Sequence, residues 1–348
     1  MAKTATDNLA RRRIYQNLVK WTVVLTLCLI MVGAWVRLTD AGLGCPDWPG
    51  CYGHFTPAHA AEHIGAAVDA QGGEHGPVSM GKAWREMGHR YIAMLLGLLI
   101  IGLAWLGWRH KASLPGGPWL ATVMVGVVIL QGLFGKWTVT LLLKPAIVTG
   151  HLIGGMLTLA LLTWLWQRQV CSNSETFSQL PGHSATGQLR PSLGWLTWIA
   201  LIALSGQIIL GGWTSTNYAA LACTDLPTCH GVWWPQADFS NAFHLLRELG
   251  RDASGELLSH DALTAIHLSH RMGAIVATIC VGWLGFKALG QPQLRQPGFL
   301  LILALIAQVL LGLSNVVFSL PLAIAVAHNG MAAILLMLVV VIKYRVSR

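Results

Sequence analysis

The sequence predicts an all-α integral membrane protein whose eight transmembrane helices form two pseudo-twofold-related four-helix bundles. Three observations predict it. The 348-residue chain is 54% hydrophobic and only 11% charged, whereas soluble domains carry about a quarter of their residues as charges. Its apolar residues gather into eight stretches, each close to the ~20 residues that carry a helix across ~30 Å of hydrocarbon. The sequence of the first half then returns, in order, in the second.

The spans read as 18–38, 87–108, 118–140, 146–167, 193–215, 263–286, 298–319 and 322–343. Many of the 16 Trp lie near their ends (Trp21, Trp35, Trp108, Trp119, Trp137, Trp166, Trp195, Trp213), as in the aromatic belts of membrane interfaces. The first apolar run is as long as a full span and ends in an ordinary loop, so it reads as span 1 and not as a cleaved signal. The chain therefore divides into a basic arm (1–17), an N-terminal four-helix half (18–170), a linker (171–192) and a C-terminal four-helix half (193–348).

Net charge is +9, but its placement points to a lipid bilayer and away from nucleic acid. Five basic residues stand in and beside the N-terminal arm (Lys3, Arg11, Arg12, Arg13, Lys20), two follow each of spans 2, 4 and 6, and three end the chain. That is the positive-inside pattern with both termini cytoplasmic. The acidic residues Asp225, Asp238, Glu248, Asp252, Glu256 and Asp261 fall in the loop after span 5, on the other side. No Arg- and Ser-rich amphipathic leader is present, which favours a bacterial plasma membrane over the mitochondrial inner membrane.

The repeat is most distinct around the first loop of each half. Gly33-Ala34-Trp35 leads to Cys45-Pro46-Asp47-Trp48-Pro49-Gly50-Cys51, and Gly211-Gly212-Trp213 leads to Cys223-Thr224-Asp225-Leu226-Pro227-Thr228-Cys229. Both Cys-x5-Cys pairs lie in external loops where oxidation is permitted, while Cys28 and Cys280 lie within spans and Cys171 in a cytoplasmic loop. These pairs read as structural disulfides holding a fixed lid over each bundle mouth, with redox activity as the competing use. Farther on, Gly88-His89-Arg90 answers to Ser269-His270-Arg271 after a three-residue insertion. Gln131 precedes His151, and Gln308 precedes His328, by the same 20 residues. With four spans per half, the repeat is parallel.

His89, His151, His270 and His328 all fall within roughly the first two turns of spans that enter from the external side, so at ~1.5 Å rise per residue they share one depth. A single polar side chain in a membrane helix often does no more than bond a neighbouring carbonyl. Four at repeat-related positions in costly surroundings point to use, and two imidazoles facing across a helix bundle are the axial ligands a heme iron takes. Arg90 and Arg271 each follow a histidine and suit either snorkelling to the headgroups or pairing with a heme propionate.

The halves differ beside that histidine. Glu86 stands one turn before His89, whereas His267 occupies the place before His270. The first half thus offers a carboxylate that handles protons or stabilises positive charge, and the second reads as a permanently ligated electron-transfer heme; an interfacial acid paired with Arg85 or Arg90 is the plainer reading of Glu86. His267 competes with His270, because the uncorrected 178-residue offset aligns it with His89; Arg271 and the apolar run after it favour His270. The external histidines His54, His59, His63, His75, His230, His244 and His260 have spacings that match no metal site.

Taken together, Arg37-Leu38-Thr39, the Gly42-Leu43-Gly44-Cys45-Pro46-Asp47-Trp48-Pro49-Gly50-Cys51 loop, Glu86-x-x-His89-Arg90, His151, His270-Arg271 and His328 resemble the heme A synthase family over about residues 18 to 343. The resemblance implies a membrane oxidoreductase that converts the C8 methyl of heme O to the formyl of heme A by successive hydroxylations and loss of water. It implies that His89 and His151 hold the substrate heme, that His270 and His328 ligate heme B, that Glu86 is the catalytic glutamate, and that Cys45–Cys51 and Cys223–Cys229 are disulfides. A heme O synthase as supplier, terminal oxidase assembly as destination and an unidentified electron donor follow as partners. The long external inserts and His267 depart from the family pattern. The competing class is a non-enzymatic di-heme cytochrome b that only passes electrons; a thiol oxidoreductase using the external cysteines is a third.

Overall fold

The computed structural model describes residues 2–171 and 191–348. Among them it contains ten α-helices and no strands beyond isolated bridges: α1 (Ala2–Leu38), α2 (Ala61–Ala70), α3 (Met80–Arg109), α4 (Trp119–Thr140), α5 (Pro145–Cys171), α6 (Pro191–Thr216), α7 (Phe239–Ala242), α8 (His260–Leu289), α9 (Arg295–Val317) and α10 (Leu322–Val346). Eight of these, all but α2 and α7, are long and apolar enough to cross a membrane. They correspond in order to the eight spans read from the sequence.

Local chemistry sets the helix limits. No Pro or Gly interrupts the chain from Ala2 to Val32, so the basic N-terminal segment continues into the first span as one unbroken helix. Ser79 and Ser259 cap α3 and α8, their side chains accepting from the Lys82 and Ala262 N–H groups (3.2 Å each). Proline opens α5 and α6 at their first positions, where its missing N–H costs nothing. Cys171, expected in a loop, is the last residue of α5; residues 172–190 of the expected linker lie outside the described residues.

Two connections are tight. Between α4 and α5, Leu142 and Leu143 have φ of 50° and 57°; between α9 and α10, Ser319 and Leu320 have φ of 53° and 64°. These left-handed pairs at repeat-related places turn the chain back within a few residues, so that His151 and His328 each stand at the seventh residue of the helix that follows, while His89 and His270 stand at the tenth and eleventh of theirs.

Helices α1, α5, α6 and α10 form the centre. α1 packs on α3, α5 and α10, and α6 packs on α5, α8 and α10. Their shared core includes Val19, Leu159, Leu162, Leu165, Leu204, Leu336 and Val339. α4 and α9 lie outside, with Ile129, Leu130, Leu133, Ile306, Leu310 and Leu313 exposed, as lipid-facing side chains must be where every backbone group is already satisfied within the helix. Residues one repeat apart also meet: Arg37 Nη2 donates to the Ser215 carbonyl (2.8 Å) and Tyr218 Oη donates to Asp40 Oδ1 (2.7 Å).

Candidate functional site

The four histidines lie at the loop end of the molecule, each against a glycine of a neighbouring helix. A Cβ on Gly33 of α1 would stand 3.1 Å from His89 Cε1, one on Gly211 of α6 3.1 Å from His270 Cε1, one on Gly312 of α9 3.1 Å from His328 Cε1, and one on Gly135 of α4 3.6 Å from His151 Cε1. Glycine thus makes the room in which each imidazole lies against the next helix. Gly33 and Gly211 are repeat mates, as are Gly135 and Gly312.

His89 and His151 face one another with ring centroids 6.5 Å apart and planes at 80°. Two metal–nitrogen bonds of about 2 Å plus the half-width of each ring account for a separation of this size. The Nδ1 atoms of His89, His151 and His328 are buried without a hydrogen-bond partner. The first pair suits a heme iron: neutral imidazoles are its ordinary axial ligands, and neither ring has a protein partner on Nδ1; in the second half a glutamine lies at a ring nitrogen of each histidine. Each expected glutamine touches its histidine. Gln131 Nε2 donates to the His151 carbonyl (3.2 Å), and Gln308 Nε2 lies 3.3 Å from His328 Nε2. Gln207 of α6, for which the repeat gives no sign because its mate is Leu29, lies 3.0 Å from His270 Nδ1.

Fastened to α3 in the first half and to α8 in the second is a cysteine loop of like construction. Cys45 and Cys51 stand at disulfide distance (S–S 2.09 Å), as do Cys223 and Cys229 (2.00 Å), and all four are buried. Asp47 accepts from the N–H groups of Tyr52 and Gly53; Asp225 accepts from those of His230 (2.8 Å) and Gly231 (3.0 Å). Hydrogen bonds from the Thr228 hydroxyl and these two amides hold the Asp225 carboxyl well below the usual carboxylate range.

The arginines next to the histidines fasten these loops. Arg90 Nη1 donates to the carbonyls of Asp47 (2.8 Å) and Gly50, and its Nη2 to Glu86 Oε1. Arg271 Nη1 donates to the Thr228 carbonyl (2.9 Å) and its Nη2 to that of Cys223 (2.8 Å). Gly50 and Thr228 are repeat mates, so the two clamps are copies. Arg271 Nε is buried and has no acceptor.

Glu86 and His267 complete the copy. Cys45 N–H donates to Glu86 Oε2 (2.9 Å), and Cys223 N–H donates to His267 Nδ1 (3.1 Å). With the three-residue insertion counted, Glu86 and His267 are mates, as are His89 and His270, and each pair makes the same contact in its own half. His267 thus bonds the loop, and His270 lies against Gly211.

This duplicated arrangement belongs to a known family. The sequence model of the COX15-CtaA cytochrome oxidase assembly proteins matches residues 16–340. The chain belongs to the COX15-CtaA family. A protein of Shewanella oneidensis named Heme A synthase is 41% identical over 333 residues, covering 94% of this chain and 95% of that relative. Heme A synthases of Chelativorans sp. and Cereibacter sphaeroides are 26% and 25% identical, covering 95% and 91% of this chain and 91% and 83% of theirs. Like these COX15-CtaA relatives, the chain is a membrane enzyme, which sets aside the reading of a protein that only passes electrons.

The inserts of this COX15-CtaA chain hold what the sequence reading missed. Arg247, 2% exposed, donates from Nη2 to Asn217 Oδ1 and from Nη1 to the Arg251 carbonyl (2.9 Å) and lies over the Trp213 ring (5.6 Å). Burial lowers its pKa, with Asp252 opposing. Trp213 donates to the Ala242 carbonyl (2.9 Å). Trp213 is therefore buried under the second insert, whereas its mate Trp35 is 38% exposed.

Proposed function

We propose that the chain is a heme A synthase: it takes heme O as substrate, oxidises the C8 methyl to a formyl by two hydroxylations and loss of water from the resulting diol, and keeps heme B as its redox cofactor. The observation that carries this reading is the presence of two glycine-backed histidine pairs whose cysteine loops are anchored at corresponding residues, with one exchange of side-chain type at the anchor. That one difference puts a carboxylate beside the first pair and an imidazole beside the second.

In this reading His89 and His151 hold the substrate heme, and His270 and His328 ligate heme B, which when bound supplies one-electron transfer. Glu86, one turn before His89, stabilises positive charge or takes up a proton at the substrate site. The two Cys loops act as lids, fastened by Arg90 and Arg271, that keep the porphyrin edge away from bulk water. Both arginines also serve the propionates, and the buried, unpartnered Nε–H of Arg271 is a donor suited to such an acceptor. The pseudo-twofold relation of the 18–170 and 193–348 halves is supported by the contacts between repeat mates at Arg37–Ser215 and Asp40–Tyr218.

The basic residues on alternate segments support an orientation with both termini cytoplasmic and the histidine end facing out. All three named relatives are bacterial, in keeping with a bacterial plasma membrane. Heme O then arrives from a heme O synthase, and heme A leaves toward terminal oxidase assembly.

The test is to express the protein with a heme O supply, purify it, extract the hemes and weigh them. Heme B together with the hydroxymethyl or formyl derivative of heme O is expected. Unaltered heme O beside heme B would overturn the proposed oxidation of heme O, and no heme at all would overturn heme binding by these histidines.

A further inference from the structure

We propose that His267 is a positioning residue: it fastens the Cys223–Cys229 loop with the bond Glu86 makes in the first half but brings no negative charge, so that Arg271 stays an unneutralised cation beside the second histidine pair. The inference rests on the reading that this pair holds a heme.

Two sets of contacts carry it. The first is the duplicated anchor: the N–H of the first loop cysteine is accepted by Glu86 Oε2 in one half and by His267 Nδ1 in the other, and the arginine one turn on holds the carbonyls of the same loop. Because Nδ1 accepts, the His267 ring carries its proton on Nε2 in this arrangement and is neutral. The second is the charge balance. Arg90 is ion-paired with Glu86, both side chains at or below 10% exposure. Among the described residues no carboxylate lies within salt-bridge distance of Arg271. Asp225 acts on Arg271 through space without pairing with it, and both it and Asp47 are committed to their own loop amides.

A group bound between His270 and His328 thus sits near a cation that the first half neutralises. A cation in a site of low dielectric favours added electrons, raising a reduction potential. The first half, with its ion pair, is electrically closer to neutral where substrate must enter and leave.

Three variants of the full-length protein separate the two parts. Reduction of Cys223–Cys229 by a phosphine, followed by mass-tagging of the freed thiols, reports loop opening, with Cys45–Cys51 as the internal reference. His267→Ala should speed it about tenfold, the worth of one buried hydrogen bond. His267→Asn and His267→Glu, which keep an acceptor, should stay within about threefold of wild type. In the heme-loaded protein, His267→Glu should move the midpoint potential of the second-half heme to more negative values, and His267→Asn should leave it in place. Unchanged reduction in His267→Ala would overturn the anchoring role, and an unmoved potential in His267→Glu would overturn the charge role. If wild type takes up no heme between His270 and His328, the reading beneath the charge role fails, while the reduction rates still decide the anchor.

Discussion

Replacing Glu86 by alanine removes two contacts at once, the acceptor of Cys45 N–H and the anion of the Arg90 ion pair. Leaving a buried partner uncompensated costs about 3–5 kcal/mol; glutamine, which keeps an acceptor for Cys45, should cost about 2 kcal/mol, the worth of one charge-assisted hydrogen bond. Both costs fall on the Cys45–Cys51 loop, because the carboxylate and guanidinium bridge α3 to that loop. Cys45 and Cys51 are each 0% exposed, so a reductant reaches them only when the loop opens. A loss of about 2 kcal/mol in local stability raises the open population about 30-fold. The assay is the rate of phosphine reduction of each loop in the same sample, read by mass-tagging of the freed thiols. Cys45–Cys51 should reduce about 30-fold faster in Glu86→Gln and faster still in Glu86→Ala, with Cys223–Cys229 unchanged. In heme-supplied cells Glu86→Ala should retain heme B and yield no heme A. Equal, wild-type reduction rates at both loops would refute the anchor, and wild-type heme A output would remove Glu86 from the reaction.

Three further outcomes follow from the same geometry. His328→Ala should deplete heme B while leaving the polypeptide in the membrane, as measured by the pyridine hemochrome of the purified protein; unchanged heme B would take His328 out of the ligand set. Gly211→Ala places a methyl 3.1 Å from His270 Cε1; the overpacking, about 1–3 kcal/mol, outweighs the gain of up to about 1 kcal/mol in helix propensity, so heme B retention and its absorption maximum should both change, whereas Gly206→Ala, with open space around it, should change neither. Asp225 has its folded pKa depressed by loop hydrogen bonds, so its contribution is fully present above the ordinary carboxylate pKa of about 4 and fades as pH falls below that toward the folded value. Acid-induced opening of the Cys223–Cys229 loop, followed by the same thiol tagging, should therefore set in as pH falls below about 4 in wild type, and Asp225→Ala should open faster already at neutral pH.

Much of this was legible in the sequence because membranes impose strong rules. Span length, Trp at span ends and the alternation of basic segments are set by the bilayer, and the eight apolar stretches became eight helices with shifts of a few residues at their ends. The first shift is the largest: the basic arm, free of helix breakers, extends α1 back to Ala2. The repeat made the histidines stand out and marked Gln131 and Gln308 by their shared spacing of 20 residues; that these glutamines touch His151 and His328 is shown by the structure alone. What escaped was tertiary. Nothing in a linear motif says that a guanidinium will spend its donors on loop carbonyls, so Arg90 and Arg271 read as surface or propionate residues while their loop contacts stayed hidden. The correspondence of Glu86 and His267 was legible once the three-residue insertion was counted; what the sequence did not show is their shared partner, the N–H of the first loop cysteine. Gln207 lies outside the repeat, and Arg247 is buried by an insert with no repeat counterpart to mark it.

The central claim is that each half grips an iron porphyrin between two imidazoles beneath its cysteine loop. An experimental map of the protein purified with its hemes tests it most directly. The account predicts porphyrin density between His89 and His151 and between His270 and His328, with Glu86 and His267 each on the amide of the nearby cysteine. Heme density elsewhere, or these four rings turned away from the iron, would contradict it.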